Sequence, residues 1–145
     1  MQNGATIDLD TVRKVATAKR EKYSPLVVEG AGGLLVPVTG SALMVDVVRE
    51  LDCRPLLVAR AGLGTINHTL LSLEALRHRQ MEPLGVILLD PAPAPEDPEL
   101  VYENIETIRI RGDIRIVGPI CGISDFSNPP PSAYTFLDNL LEREP

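Results

Sequence analysis

Short apolar runs alternate with helical periods along this chain, and the alternation predicts an α/β fold. The runs are rich in Val, Ile and Leu and are closed by Gly, Pro or charged residues, which is typical of buried strands in a parallel sheet. The predicted strands are Leu26–Val28, Leu56–Ala59, Leu84–Leu89 and Ile114–Ile120. The predicted helices run from Asp8 or Asp10 to about Lys22, from Ser41 to Leu51, from Thr65 to about Gln80, from Glu99 to Arg109, and onward from Ser132. We find no internal repeat, so the prediction is one domain over residues 1–145 with a parallel sheet and flanking helices.

The first apolar run ends in a carboxylate and a glycine-rich loop. Glu29 directly follows Leu26–Val28, and Gly30–Gly33 leads into a second apolar run, Leu34–Val38. In open α/β sheets, ligands bind outside the carboxyl ends of the strands. A lone carboxylate beside bare backbone at that edge suits a phosphate-bound divalent cation. The alternative is that Glu29 is a solvated charge and the glycines only make a turn.

The second predicted strand also ends in a loop with glycines, and a helix follows. The segment Arg60–His68 contains Gly62 and Gly64, and the helical period begins at Thr65. Unpaired N–H groups and the helix dipole at such an N-terminus attract a carboxylate or phosphate. In the alternative reading the glycines only shape the turn. His68 is more simply interpreted as a structural residue, because a lone histidine at such a position is more often structural than a general base.

Composition and charge narrow the function classes. The net charge is −6 and the pI is near 4.9, which argues against nucleic acid because phosphate binding needs a basic surface. Two cysteines without metal-ligand spacing favour a reducing cytoplasm. No apolar run approaches the roughly 20 residues that a membrane span needs, and the N-terminus lacks a signal-peptide pattern. We therefore expect neither a nucleic-acid partner nor a membrane partner.

Several motifs for phosphate, dinucleotide or hydrolytic chemistry are absent from these 145 residues. None of the three lysines follows a glycine, so there is no Walker A loop. Gly62–Leu63–Gly64 comes closest to a dinucleotide motif, but Asn67 stands where the third glycine would be. Neither Gly-x-Ser-x-Gly nor His-Glu-x-x-His occurs, so hydrolase and zinc-protease functions have no support.

Two long segments resemble one enzyme family. Residues Val28–Pro37 (VEGAGGLLVP) are similar to the central motif of ATP-dependent dethiobiotin synthetases, and Arg60–Leu71 (RAGLGTINHTLL) is similar to their second signature. The similarity extends from about Ile7 to the C-terminus, and the last third of the chain diverges from the family. It implies a P-loop NTPase-like three-layer architecture, here missing its first strands. It also implies ureido ring closure of 7,8-diaminononanoate with CO₂ and ATP by a cytoplasmic, Mg²⁺-dependent homodimer.

The resemblance also implies a role for individual residues. Glu29 would ligate Mg²⁺, and Gly30, Ala31 and Gly32 would line the ATP phosphates. The substrate carboxylate would be held across the dimer interface by the segment that contains Leu63, Gly64, Thr65 and Asn67. The adenine would be lined by Leu89, Asp90, Cys121, Gly122 and Ile123.

Two departures from the family pattern leave two functions open. Family members begin with a strand and a P-loop, followed by a catalytic lysine, a metal-binding aspartate and a substrate-binding serine, and none of these is in the 145 residues. Leu89 stands where the family carries an adenine-binding Asn, and a leucine cannot hydrogen-bond a base. The chain would then be either a half-enzyme completed by a separate P-loop chain or a non-catalytic dimerising remnant or binding module. Since the family's P-loop strand lies between the strands that end at Glu29 and at Ala59, both would have unpaired edges.

Overall fold

The computed structural model describes residues 7–90, 92, 94–95, 97–123, 125, 127–131, 134–135 and 138. It divides into two compact units, Met1–Cys53 and Arg54–Pro145, which we describe separately. The single domain expected from the sequence stays a prediction. Most of the helix predicted from Ser132 onward, including Phe136 and Leu140, falls outside the described residues. Within the described part of the chain, no helix is long and apolar enough to cross a membrane.

The first unit contains two helices, α1 (Leu9–Arg20) and α2 (Met44–Glu50). The predicted start of α1 is confirmed, because the Asp8 carboxylate accepts hydrogen bonds from the N–H groups of Asp10 and Thr11. The Thr11 hydroxyl also donates to this carboxylate at 2.7 Å and lowers the pKa of Asp8 below its ordinary value. An ion pair of 2.5 Å between Arg13 and Glu50 joins the two helices.

The strand predicted at Leu26–Val28 does not form, and this prediction is wrong. The segment has no regular secondary structure, and Val27 and Val28 are 86% and 48% exposed. A strand requires a neighbour that pairs with its backbone. Among the described residues of this unit, the sole β-bridge joins Pro37 to Leu43. The run therefore has no strand partner within its unit, and two of its three side chains are exposed.

The second unit is built on a three-stranded parallel sheet of β1 (Leu57–Arg60), β2 (Val86–Leu89) and β3 (Ile116–Ile120). The strand order is β1-β2-β3. Each connection is a helix, α3 (Thr65–Arg77) between β1 and β2, and α4 (Pro98–Gly112) between β2 and β3. The predicted α/β class is confirmed, with a parallel sheet and flanking helices of the P-loop NTPase type. Such connections place both helices antiparallel to the strands and therefore parallel to each other.

The core of this unit lies where α3 and α4 pack on the sheet. Its most deeply buried side chains are Leu73, Leu76, Val86, Leu88 and Ile108. Arg77 connects the C-terminal ends of α3 and α4, because its guanidinium donates hydrogen bonds to the carbonyl oxygens of Gly112 at 2.6 Å and Asp113 at 3.0 Å. It also pairs with Glu82 at 2.6 Å, and this hydrogen bond lowers the pKa of the Glu82 carboxyl. These hydrogen bonds hold the C-terminal ends of α3 and α4 together, whereas the candidate site lies toward the N-terminus of α3.

Candidate functional site

The carboxyl ends of the three strands form one edge of the sheet. Their register aligns Arg60 with Leu89 and Leu89 with Ile120. Beyond these residues the backbone pairing continues, because Ala61 N–H donates to the Leu89 carbonyl at 2.6 Å and Asp90 N–H donates to the Ile120 carbonyl at 2.9 Å. The loops that follow β1, β2 and β3 therefore begin side by side.

The residues predicted to line adenine lie together at this edge. The Asp90 carboxylate accepts a hydrogen bond from Ala92 N–H at 2.9 Å, and the Ala92 carbonyl accepts one from Gly122 N–H at 2.7 Å. These two bonds join the loop after Leu89 to the loop that contains Cys121–Ile123. The Leu89 side chain is 38% exposed and has no hydrogen-bonding group, so it offers an apolar surface there.

The loop after β1 ends in the open N-terminus of α3. Gly64 is the N-cap residue and has a φ of +88°, a left-handed conformation that glycine adopts without a Cβ penalty. No side chain caps the helix. The first N–H groups of a helix have no partner within the helix, so those beyond Thr65, which itself donates to Gly62, are available to an anion. The imidazole of His68 lies behind the loop, within 3.7 Å of an ideal Gly64 Cβ position.

A cavity of about 520 Å³ opens at this helix N-terminus and continues between α3 and α4. Its lining residues are Gly62, Leu63, Gly64, Thr65, Ile66, Asn67, Leu70, Leu71, Glu74, Leu100 and Asn104. Most of the wall is aliphatic, and polar groups are few. Such a cavity fits a ligand with a hydrocarbon chain and one anionic end. All four residues predicted to hold the substrate carboxylate line it.

A second cavity of about 420 Å³ lies between β1 and the opposite face of α3. Thr65 and Thr69 line it, and their hydroxyl oxygens are buried without a hydrogen-bond partner. Val58 on β1 is 61% exposed beside it. In the described sheet β1 pairs only with β2, so its other edge has no neighbour.

The predicted metal and phosphate residues belong to the first unit. Glu29 is exposed, with no regular secondary structure around it. Gly32 has a φ of +79°, and a Cβ there would meet Val36 at 3.1 Å. Downstream, the N–H groups of Met44 and Val45 donate to the carbonyls of Val36 and Leu34, both at 2.9 Å, and hold the loop against the start of α2. The loop thus presents backbone without side chains next to one carboxylate.

This donor set fits a magnesium ion that is bound mainly through phosphates. No group of three or more His, Cys, Asp or Glu side chains clusters within the described residues, so they form no all-protein metal cage. Mg²⁺ is usually held by one or two carboxylates together with phosphate oxygens and water. Glu29 can supply one such ligand. Because Glu29 lies in the other unit, its position at the edge of the sheet remains a prediction.

The sequence did not reveal Asn104 and Thr69 as residues of interest. Both look like ordinary polar positions of an amphipathic helix. The sequence did contain a signal for the burial of Asn104, because its spacing from Val101 and Ile108 places the three residues on one face of a helix. All three are buried in the structure. Only the packing of α4 against α3 shows that Asn104 lines a cavity.

Comparison with known proteins gives a family and several relatives. Residues 1–130 match a family model described as AAA domain. The ATP-dependent dethiobiotin synthetase BioD of Paramagnetospirillum magneticum is 40% identical over 108 residues, which are 74% of this chain and 52% of that protein. The same-named protein of Rhodopseudomonas palustris is 44% identical over 114 residues, 79% of this chain and 50% of that protein. The biotin biosynthesis bifunctional protein BioCD of Bordetella avium is 58% identical over 71 residues, 49% of this chain and 15% of that protein.

The resemblance to dethiobiotin synthetases inferred from residues 28–37 and 60–71 is thereby confirmed. The chain spans about half the length of the dethiobiotin synthetases it matches.

Proposed function

Because this chain belongs to the AAA domain family, we propose that it is the C-terminal part of an ATP-dependent dethiobiotin synthetase. The proposed reaction closes the ureido ring of dethiobiotin from 7,8-diaminononanoate, CO₂ and ATP. The names of the relatives support this role in biotin biosynthesis. As parts of the same proposal, the protein works in the cytoplasm and as a homodimer.

The cavity at the N-terminus of α3 is the observation that carries the proposal. The substrate has a carboxylate at one end, an unbranched chain of methylenes, and two amines. The helix N-terminus and Asn67 offer hydrogen-bond donors and a positive dipole end to the carboxylate. The side chains of Leu70, Leu71 and Leu100 offer an aliphatic wall to the methylenes.

The nucleotide would lie toward the carboxyl ends of β2 and β3. We assign the adenine to the surface formed by Leu89, Asp90 and the loop Cys121–Ile123, which hydrogen bonds through Ala92 hold together. The loop Gly30–Gly32 would line the phosphates, and Glu29 would supply a carboxylate ligand to Mg²⁺. When bound there, Mg²⁺ neutralises phosphate charge. The task of these residues is to hold and orient the nucleotide.

The reaction also requires a P-loop segment. Phosphoryl transfer depends on lysine, arginine and metal charges around the phosphates. The 145 residues contain no Walker A lysine. We propose that a P-loop segment pairs with the unpaired edge of β1, where Val58 is exposed.

A non-catalytic dimerising or binding module is the second candidate. The sequence favours it at one point, since Leu89 stands where the family carries an adenine-binding amide. A stable homodimer that binds no nucleotide, even with a P-loop segment present, would support this alternative.

Binding of 7,8-diaminononanoate to the 145-residue chain tests the proposed site. We expect a dissociation constant in the millimolar range, about −4 kcal/mol, because a helix N-terminus and one cavity form only part of the complete site. Asn67→Ala should weaken binding roughly tenfold, since it removes a hydrogen bond to a charged group. NMR titration of the backbone amides measures the dissociation constants of the wild type and of Asn67→Ala. We expect chemical-shift changes at residues 63–68.

Asn128→Ala is the matched control, because Asn128 is exposed and lies outside both cavities. The control should bind as the wild type does. Binding that leaves residues 63–68 unperturbed, or that is unaffected by Asn67→Ala, would show that the carboxylate lies elsewhere.

A further inference from the structure

Asn104 has a buried amide that opens into the cavity between α3 and α4. The residue is only 9% exposed and belongs to the cavity lining. It lies on the inner stripe of α4 with Val101 and Ile108, where an apolar side chain would be expected. Among the described residues, only the hydroxyls of Thr65 and Thr69 are fully buried without a hydrogen-bond partner, so the Asn104 amide is accessible from the cavity.

The structure gives that amide no partner. Within the described part of the chain, no side-chain hydrogen bond to Asn104 is formed. An amide without a protein partner at a cavity surface hydrogen-bonds water or a ligand in that cavity. Because Asn104 contacts the cavity, a molecule in the cavity is the group that can satisfy it.

The alignment of the helices places Asn104 near the N-terminus of α3. The ideal Cβ position of Gly112 on α4 meets the side chains of Leu73 and Leu70 on α3 at 2.7 Å and 3.3 Å, so these residues of the parallel helices are level with each other. Asn104 is two helical turns before Gly112, roughly 12 Å toward the N-terminal end at 1.5 Å per residue. This places Asn104 beside the first turn of α3, which contains Asn67. Two asparagine side chains on facing helices therefore line the same end of the cavity.

The other end of the cavity repels anions. Glu74 lines it on the exposed side of α3. It is seven residues beyond Asn67, a distance of roughly 10 Å along the helix. The helix dipole is positive at its N-terminus, so both charges direct a carboxylate toward Asn67 and Asn104.

We propose that Asn104 donates its side-chain amide to the carboxylate of the aliphatic acid bound at the N-terminus of α3. It is a positioning and specificity-determining residue, which selects an acid over an amine or a hydrocarbon end. This inference rests on the proposed function and adds a donor from α4 to the donors of α3. Together they approach the carboxylate from two sides and fix its depth in the cavity.

Two variants of Asn104 test this role in the full 145-residue chain. Asn104→Leu keeps the volume and removes the donors, whereas Asn104→Asp places a negative charge against the carboxylate. The probes are 7,8-diaminononanoate and 2,3-diaminooctane, which has the same diamine but no carboxylate. NMR titration should show acid binding weakened roughly tenfold by Asn104→Leu and further by Asn104→Asp. Binding of the diamine should not change in Asn104→Leu, and it should not weaken in Asn104→Asp, because the new carboxylate attracts the protonated amines.

Tyr102→Leu is the matched control, because Tyr102 is on the same helix but 65% exposed and outside the cavity lining. Circular dichroism and thermal unfolding confirm that each variant is folded. Should Asn104→Asp alone prove unstable, Asn104→Leu with the two probes decides the question.

The outcomes separate this inference from the proposed function. Unchanged acid affinity in folded Asn104→Leu, while Asn67→Ala weakens it, overturns the role of Asn104 and leaves the proposed function standing. If nonanoate binds as tightly as 7,8-diaminononanoate and both depend on Asn104, the role holds and the proposed substrate loses its support. Failure of the folded wild type to bind either acid overturns both.

Discussion

Glu29→Gln should reduce dethiobiotin formation by about 10²-fold or more when this chain is combined with the P-loop segment of a dethiobiotin synthetase. The amide has the shape of the carboxylate but lacks the charge that a hard cation requires. Glu29 is exposed and lies outside any helix or strand, so its replacement costs little folding stability. Initial rates over a range of Mg²⁺ concentrations measure the effect.

Glu21→Gln is the matched control, because Glu21 is an exposed carboxylate in the same unit. This control should leave both the rate and its Mg²⁺ dependence unchanged. An unaltered Mg²⁺ dependence in the Glu29→Gln protein would show instead that Glu29 is a solvated charge with no part in metal binding.

Gly118→Ala should destabilise the second unit by about 3 kcal/mol or more. Gly118 lies in β3 with a φ of +125°, and an ideal Cβ would stand 2.5 Å from the Leu88 carbonyl oxygen. The neighbouring atom belongs to the backbone of the central strand and cannot move aside. The β2–β3 pairing is irregular at this point, between Ile87 and Leu89. Urea unfolding measures the loss.

Gly62→Ala provides the comparison within the same unit, since nothing lies within 4 Å of its ideal Cβ. It should change the free energy of unfolding by less than about 1 kcal/mol. Equal effects of the two substitutions would contradict the close approach of Gly118 to β2.

The sequence predicted elements well where local chemistry decides them. The cap at Asp8 and the helical period from Thr65 fixed the starts of α1 and α3. The β-branched run before Ile120 indicated β3, although the strand is two residues shorter at its start than expected. The helix α4 extends past Arg109 to Gly112 because Asp113 ends it in a left-handed conformation, with a φ of +42°. An aspartate in that conformation is not visible in an apolar pattern.

The sequence failed where another segment decides the structure. Leu26–Val28 has the composition of a buried strand, but the described residues of its own unit, Met1–Cys53, hold no strand for it to pair with. The burial of the Asn104 side chain could not be predicted for the same reason, because it depends on packing against α3, which is distant in sequence. The candidate site was predictable at Gly62–Asn67, since a strand, a glycine loop and a helix carry their own signals. The part of the cavity wall that α4 contributes could not be predicted from the sequence.

Product formation tests the central claim most directly. The 145-residue chain, a P-loop segment from a curated relative, and their mixture are each incubated with ATP, Mg²⁺, bicarbonate and 7,8-diaminononanoate, and dethiobiotin is measured by mass spectrometry. We predict dethiobiotin from the mixture and none from either part, because one part supplies the Walker A lysine and the other supplies Glu29 and the carboxylate site. Dethiobiotin from the 145-residue chain alone, or none from a folded and associated mixture, would contradict the account.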